Sequence, residues 1–204
     1  MTGPPPSQTA GPDPFTRFAA LFEEAKNLPR DLLPEPTAFA LATVDERGAP
    51  SLRIVLLKHV DERGFVFYTN HESRKGRELL ATRRAALCFH WQPMEVQVRV
   101  EGAAAPVTDQ EADEYFASRA RGSQIGAWAS RQSRAIEHEG DLEARVAEME
   151  KRFAGGPVPR PPQWSGFRVV PTRIEFWKGR PNRLHIRDVY ERDGNGWRVS
   201  RLYP

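Results

Sequence analysis

Two copies of the tetrapeptide Asp-Glu-Arg-Gly, at residues 45–48 and 61–64, cut the first part of this chain into short extended runs. TAFALATV precedes the first copy, SLRIVLLKHV lies between them, and FVFYTN follows the second. The runs are rich in β-branched and aromatic residues. Each break supplies an Asp that can bond its own backbone and a Gly that tolerates a left-handed turn. Strands joined by such short turns pair with one another, so the chain must build an antiparallel sheet. The repeat reads as recurring turn chemistry and not as a duplicated unit. The pattern resumes in AALCFHWQ, VQVRVEGAAAPV, FRVVPTRIEFWKG, RPNRLHIR and WRVSRLYP, the last two joined by ERDGNG.

Helical signals are fewer and lie between these runs. FTRFAALFEEAKNL has Phe15, Phe18 and Leu21 at helical spacing, and Ser73 can cap a helix through RKGRELLATRR. TDQE, from Thr108 to Glu111, has capping-box form and opens a helix through EADEYFASR; GDLEARVAEMEKRFAG is a further helix before the Pro-rich VPRPPQW. Many short strands with a few inserted helices predict a mainly β fold with peripheral helices (α+β), closed as a β-barrel. There is no regular strand–helix alternation and no GxGxxG, which excludes a doubly wound dinucleotide fold. Residues 1–14, MTGPPPSQTAGPDP, lack a core pattern and read as a disordered tail, leaving 15–204 as one domain.

A formal charge of +3 is too small for a dedicated nucleic-acid binder, so no nucleic-acid partner is expected. The absence of a long apolar run argues against a membrane span, and the polar start does not read as a secretory signal. A single cysteine, Cys88, sits in a strand-like run as a structural thiol and fits a reducing cytoplasm. No His/Cys cluster has metal-ligand spacing. Arginine far outnumbers lysine, which suits phosphate recognition but equally follows from a GC-rich genome; only local clusters are therefore informative.

Three clusters qualify. In YTNHESRKGREL a strand ends at Tyr68 and Thr69 and a helix starts near Ser73. Arg74 and Lys75 then sit beside free backbone N–H groups as a phosphate site, or as a solvated basic helix end. Arg53 and Lys58 bracket the strand RIVLLK and fall on opposite faces if it is regular. In EYFASRARGSQIGAWAS, Tyr115 and Arg119 share a helix face if the helix continues, and Gly122 allows a turn that brings Ser123 to the same spot. The alternative is a core tyrosine beside a solvent-facing arginine. In RPNRLHIR, read as a strand, Arg183, His185 and Arg187 share one face while Leu184 and Ile186 point inward; the choice is an anion site or an exposed basic edge.

Together RIVLLK, FYTNHESRKGREL, Gln97 in VQVRVEG, EYFASRARGSQIGAWAS, FRVVPTRIEFWKGRPNRLH and the terminal RLYP resemble the pyridoxamine 5′-phosphate oxidase family, in order from about Phe15 to Pro204. The resemblance implies an FMN-binding split β-barrel of Greek-key type, a homodimer with two flavin sites at the subunit interface. The implied reaction is oxidation of pyridoxamine or pyridoxine 5′-phosphate by dioxygen to pyridoxal 5′-phosphate and hydrogen peroxide. Position by position, it puts Arg53, Ile54, Val55, Leu56, Leu57 and Lys58 along the flavin. Tyr68, Thr69, Arg74, Lys75 and Gln97 also contact it, and Gln132, Ser133, Trp177 and Arg187 come from the partner subunit. Lys58, Tyr115, Arg119 and Ser123 hold the substrate phosphate, and Arg183 and His185 close over the substrate ring as the catalytic candidates.

Two positions depart from the family pattern: Ile186 stands where an aspartate is usual, and Val96 replaces a commonly basic residue. The rivals are a related flavin oxidase of the phenazine pathway, whose substrate has no phosphate, and a non-catalytic flavin, heme or pyridoxal phosphate binder. Retention of Lys58, Tyr115, Arg119 and Ser123 speaks against the first, and the Arg183–His185 pair against the second.

Overall fold

The computed structural model describes residues 13–204. Of the expected tail, residues 1–12 lie outside that range. Asp13 and Pro14 belong instead to the first helix, as its N-cap and first residue: the Asp13 carboxylate accepts from the N–H groups of Phe15 and Thr16. Five α-helices are described: α1 (Pro14–Lys26), α2 (Arg74–Thr82), α3 (Asp109–Ser118), α4 (Arg121–Ala129) and α5 (Asp141–Arg152). Nine strands form one antiparallel sheet: β1 (Ala38–Val44), β2 (Pro50–Leu56), β3 (His59–Asp61), β4 (Gly64–Asn70), β5 (Arg84–Trp91), β6 (Val96–Pro106), β7 (Trp164–Lys178), β8 (Ile186–Asp193) and β9 (Gly196–Leu202).

The sheet curls because its order is β2-β1-β5-β6-β7-β4-β3, so its two end strands are consecutive in the chain. SLRIVLLKHV is therefore two strands, not one. Leu57 and Lys58 break it at the corner, where Leu57 N–H donates to Thr37 O and Lys58 N–H to Val66 O. Both Asp-Glu-Arg-Gly turns use the same bond: Asp45 and Asp61 each accept from the backbone N–H two residues on, at 2.9 and 3.0 Å.

β7 is the longest strand and the one that splits the barrel. One edge pairs with β6; the other pairs with β4 through Trp164–Val169 and with β8 through Arg173–Lys178. The handover falls at Pro171, which has no N–H to give, opposite a register shift at Glu101/Gly102. A side chain at Gly102 would collide with the Val170 carbonyl, so the close approach requires glycine there.

An aromatic cluster fills the barrel. Phe18 of α1 is fully buried and closes one end, 4.9 Å from Phe65 and 5.0 Å from Phe89, with Phe39, Phe67, Trp91 and Phe167 behind it. A second, smaller core joins α3, α4 and α5 to the start of β7 through Phe116, Ile125, Met149 and Trp164. No helix among the described residues is long and apolar enough to cross a membrane.

Candidate active site

A cavity of about 560 Å³ opens where β2, the end of β4, the start of α2 and residues of α3 and α4 meet. That size lies within the range of small-molecule sites, roughly 300–1,000 Å³. Arg53, Lys58, Lys75 and Arg119 line it, and no carboxylate does among the described residues. Lys58, Lys75 and Arg119 also make no ion pair among those residues. Three cations thus face one space without a counter-charge, an arrangement that favours an anionic ligand.

At one end, Lys75 Nζ donates to Gln132 Oε1 at 3.0 Å and to Thr69 Oγ1 at 3.2 Å. Burial and the neighbouring Arg53 push the Lys75 ammonium down to about 8. Ser73 caps α2 by accepting from Gly76 N–H, as its sequence position indicates. Arg74 parts from Lys75, however: its Nε donates to Glu78 at 2.8 Å, and it lines a separate surface hollow instead of the cavity. Two consecutive helical residues project about 100° apart, so one helix start cannot aim both at one point.

At the other end stand stacked rings. Tyr68 lies 4.1 Å from Tyr115 and 5.4 Å from Trp164, nearly parallel to both. Gly166 is the partner of Tyr68 across the ladder, and a side chain there would strike the Tyr68 ring. The Arg119 guanidinium sits 4.8 Å over Trp164, and its Nη1 is buried with no hydrogen-bond partner among the described residues. Burial lowers the Arg119 pKa.

Tyr115 and Arg119 do not share a helix. α3 ends at Ser118, Arg119 is extended at its C-cap, and Ser123 belongs to the first turn of α4, a helix absent from the sequence expectations. All three still line the cavity, because the extended step at Arg119 turns the chain and Gln124 of α4 donates back to the Phe116 and Ala117 carbonyls at the end of α3. Arg53 and Lys58, expected on opposite faces, line it together because the strand breaks after Leu56. Ile54, Val55 and Leu56 line it as well; Leu57 points into the barrel core at 4% exposure and does not.

The remaining expected residues form a second cluster. Gln97, Trp177 and Arg187 are direct neighbours across β6, β7 and β8, so their side chains share one face. Gln97 therefore groups with Trp177 and Arg187, not with Lys75. Gln132, expected from the partner, lines the cavity of its own chain; Ser133, with φ 69°, faces an adjoining hollow. The His185 ring lies 4.6 Å from Trp177, and its Nδ1 accepts from Arg180 N–H at 3.2 Å. Arg187 donates to the buried Glu175, which raises its pKa.

RPNRLHIR is not one strand. Pro181–Arg183 is a 3₁₀ turn with Asn182 and Arg183 at positive φ, and β8 starts only at Ile186. Leu184, expected to point inward, is 67% exposed, and Arg183 projects from the turn into solvent. Pro181 fixes the turn and ends the alternation. Ile186 is half-buried opposite Lys178. Trp164, Thr43, Ser51 and Glu78 also shape the cavity or its supports and were not singled out in the sequence. Of these, Glu78 alone carried a signal, four residues after Arg74 on one helix.

A curled antiparallel barrel with a cation-rich, ring-walled cavity at its corner defines a split-barrel protein with a small-molecule site. Residues 28–153 match the family model for pyridoxamine 5′-phosphate oxidase, and residues 164–204 match the pyridoxine 5′-phosphate oxidase C-terminal dimerisation region. A pyridoxine/pyridoxamine 5′-phosphate oxidase of Myxococcus xanthus (strain DK1622) is 62% identical over 193 residues, 95% of this chain and 92% of its own length. The protein of that name from Anaeromyxobacter dehalogenans is 57% identical over 201 residues, 98% of each chain. Among solved structures, PhzG from Burkholderia lata 383, in complex with tetrahydrophenazine-1-carboxylic acid, superposes with a TM-score of 0.85 at 32% identity, covering 97% of this chain and 98% of its own. A pyridoxamine 5′-phosphate oxidase-related, FMN-binding protein of Nostoc punctiforme shares the fold at a TM-score of 0.73 and 16% identity, covering 97% and 100%.

The chain belongs to the pyridoxamine 5′-phosphate oxidase family, a family of flavin-binding oxidoreductases.

Proposed function

We propose that this protein oxidises pyridoxamine 5′-phosphate and pyridoxine 5′-phosphate to pyridoxal 5′-phosphate, using FMN and dioxygen. For the alcohol, substrate and O₂ give the aldehyde and H₂O₂; for the amine, one water is also consumed and ammonia released. The observation that carries this reading is the acid-free cavity with an unpartnered guanidinium nitrogen on Arg119. A buried donor without an acceptor is costly unless a ligand supplies one. A phosphate monoester does so, and it brings up to two negative charges to Lys58 and Arg119 where a tricyclic carboxylate brings one.

The residues present suit FMN. Arg53, Lys75 and Thr69 offer cations and a hydroxyl at one end for its phosphate, and Ile54 to Leu56 line the wall beside them. Bound FMN supplies the hydride acceptor and the route for electrons to dioxygen.

The chain's own groups bind and orient. Lys58, Tyr115, Arg119 and Ser123 hold the substrate phosphate, a remote anchor whose binding energy can be used to place the reacting carbon. Because Nδ1 of His185 accepts the Arg180 N–H, its neutral ring carries the proton on Nε2 and presents a donor. His185 therefore orients the pyridine ring by donating to it, and Arg183 on the adjacent turn acts at C4′. Neither residue lines its own chain's cavity. In a homodimer with shared flavin sites, the cluster of Gln97, Trp177, His185 and Arg187 from one subunit completes the cavity of the other.

The test is substrate discrimination. Protein loaded with FMN is given pyridoxamine 5′-phosphate or dephosphorylated pyridoxamine in air, and product aldehyde is followed. Strong preference for the phosphorylated amine is expected; equal use of both would contradict the phosphate grip.

A further inference from the structure

Glu78 lies outside the cavity, yet it bonds to the groups that hold one of the cavity's cations. It is 5% exposed, three residues beyond Lys75 on α2. Its Oε2 accepts from Ser51 Oγ at 2.6 Å and from Thr43 Oγ1, and lies 3.4 Å from Arg53 Nη2; its Oε1 accepts from Arg74 Nε at 2.8 Å. The same two hydroxyls accept from Arg53, Thr43 Oγ1 from Nη1 and Ser51 Oγ from Nη2, while Leu41 O takes a further bond from Nη1 at 3.2 Å. Each hydroxyl thus takes a hydrogen from the guanidinium and gives its own to the carboxylate. Thr43 is itself 2% exposed.

We propose that Glu78 is a positioning residue for the anion site: through Thr43 and Ser51 it fixes the Arg53 guanidinium at the cavity wall, ready for the flavin phosphate. This rests on the reading of the cavity as an FMN site. A free arginine side chain loses rotamer freedom when it grips a ligand, and a guanidinium already held in place has lost it beforehand. Without the carboxylate, the Thr43 and Ser51 hydroxyls lose the acceptor that orients them toward Arg53, and the repulsion of Arg53 by Arg74 and Lys75 is no longer offset. Burial pushes the Glu78 carboxyl up, and the bonds from Ser51, Thr43 and Arg74 outweigh it, holding it at about 2. It is ionised at every working pH.

Two effects of Glu78→Gln oppose each other. Removing a negative charge strengthens the field on an anion, while releasing Arg53 weakens the grip. If positioning dominates, the flavin-stripped full-length variant binds FMN about tenfold more weakly, about 1.4 kcal/mol. Riboflavin, which lacks the phosphate, is bound within about twofold of the unmodified protein, because it does not use Arg53. Both constants are read by quenching of flavin fluorescence. Ser51→Ala breaks one relay with no change of charge, and its FMN affinity falls about threefold, also without loss for riboflavin. Ser51→Ala decides the matter if Glu78→Gln does not fold. Unchanged or tighter FMN binding, or equal loss for both flavins, would overturn the proposal. If the unmodified protein bound neither flavin, the FMN reading itself would fall, and this inference with it.

Discussion

The guanidinium of Arg119 sits 4.8 Å over the ring of Trp164 while one of its nitrogens stays buried without a partner among the described residues. The ring holds the arginine in place and leaves a donor free for a ligand. Replacing Arg119 with glutamine should raise the KM for pyridoxamine 5′-phosphate about 10- to 100-fold, the worth of a charged hydrogen bond to phosphate. FMN binding should stay within about twofold, since FMN is held from the Lys75 end. Steady-state kinetics with a parallel flavin titration distinguish the two effects.

Lys75 gives the site a pH limit. Its pKa is lowered to about 8 from the ordinary 10.5, so above pH 8 the ligand-free protein has lost that proton. A bound phosphate favours the charged ammonium and raises the pKa again, so binding takes up a proton in that range. FMN affinity should therefore hold below pH 8 and fall as pH rises beyond it, by up to about tenfold per unit. Lys75→Arg should flatten the profile, as fluorescence titrations from pH 7 to 9 would show.

The separation of the cavity from the Gln97–Trp177–Arg187 row predicts complementation between subunits. Lys75→Met and Arg187→Gln should each weaken FMN binding when homodimeric. After the two are mixed and reassociated, half the dimers are mixed, and each has one site carrying neither change. About a quarter of the normal complement of tight sites should return. Counting bound flavin after gel filtration measures it; no recovery would place both residues in one subunit's site.

His185 should behave as a donor. Glutamine can keep a donor near the Nε2 position, so His185→Gln should retain kcat within about tenfold, whereas loss of a general base costs about 100- to 10,000-fold. His185→Ala should mainly raise KM. A collapse of kcat in His185→Gln, with the pH–rate profile losing one limb, would make the imidazole the proton acceptor.

The strands were legible because turn chemistry is local: Asp45 and Asp61 each make the bond their tetrapeptides announce, and Thr108 and Glu111 form the capping box that TDQE spells. The cations of the cavity were legible too, since charge in a short window stands out. Three features were not. The break at Leu57–Lys58 depends on barrel closure, a pairing with Val66 that no local pattern encodes. The end of α3 at Ser118 and the new helix from Arg121 carry no capping residue, as Ala120 offers no side-chain cap. The Arg183 turn looked like a strand because its residues alternate, although Pro181 and two left-handed residues break it. The Thr43–Ser51–Glu78–Arg53 group draws on two strands and a helix and exists only once β1 and β2 have paired beside α2.

The proposed oxidation delivers electrons from C4′ of a phosphorylated pyridine to dioxygen. Purified protein reconstituted with FMN should be given limiting pyridoxamine 5′-phosphate in air-saturated buffer, and dioxygen uptake, hydrogen peroxide and pyridoxal 5′-phosphate measured together. One hydrogen peroxide and one pyridoxal 5′-phosphate are expected for each dioxygen consumed. A protein that binds FMN yet forms no aldehyde, or forms it without consuming dioxygen, would contradict it.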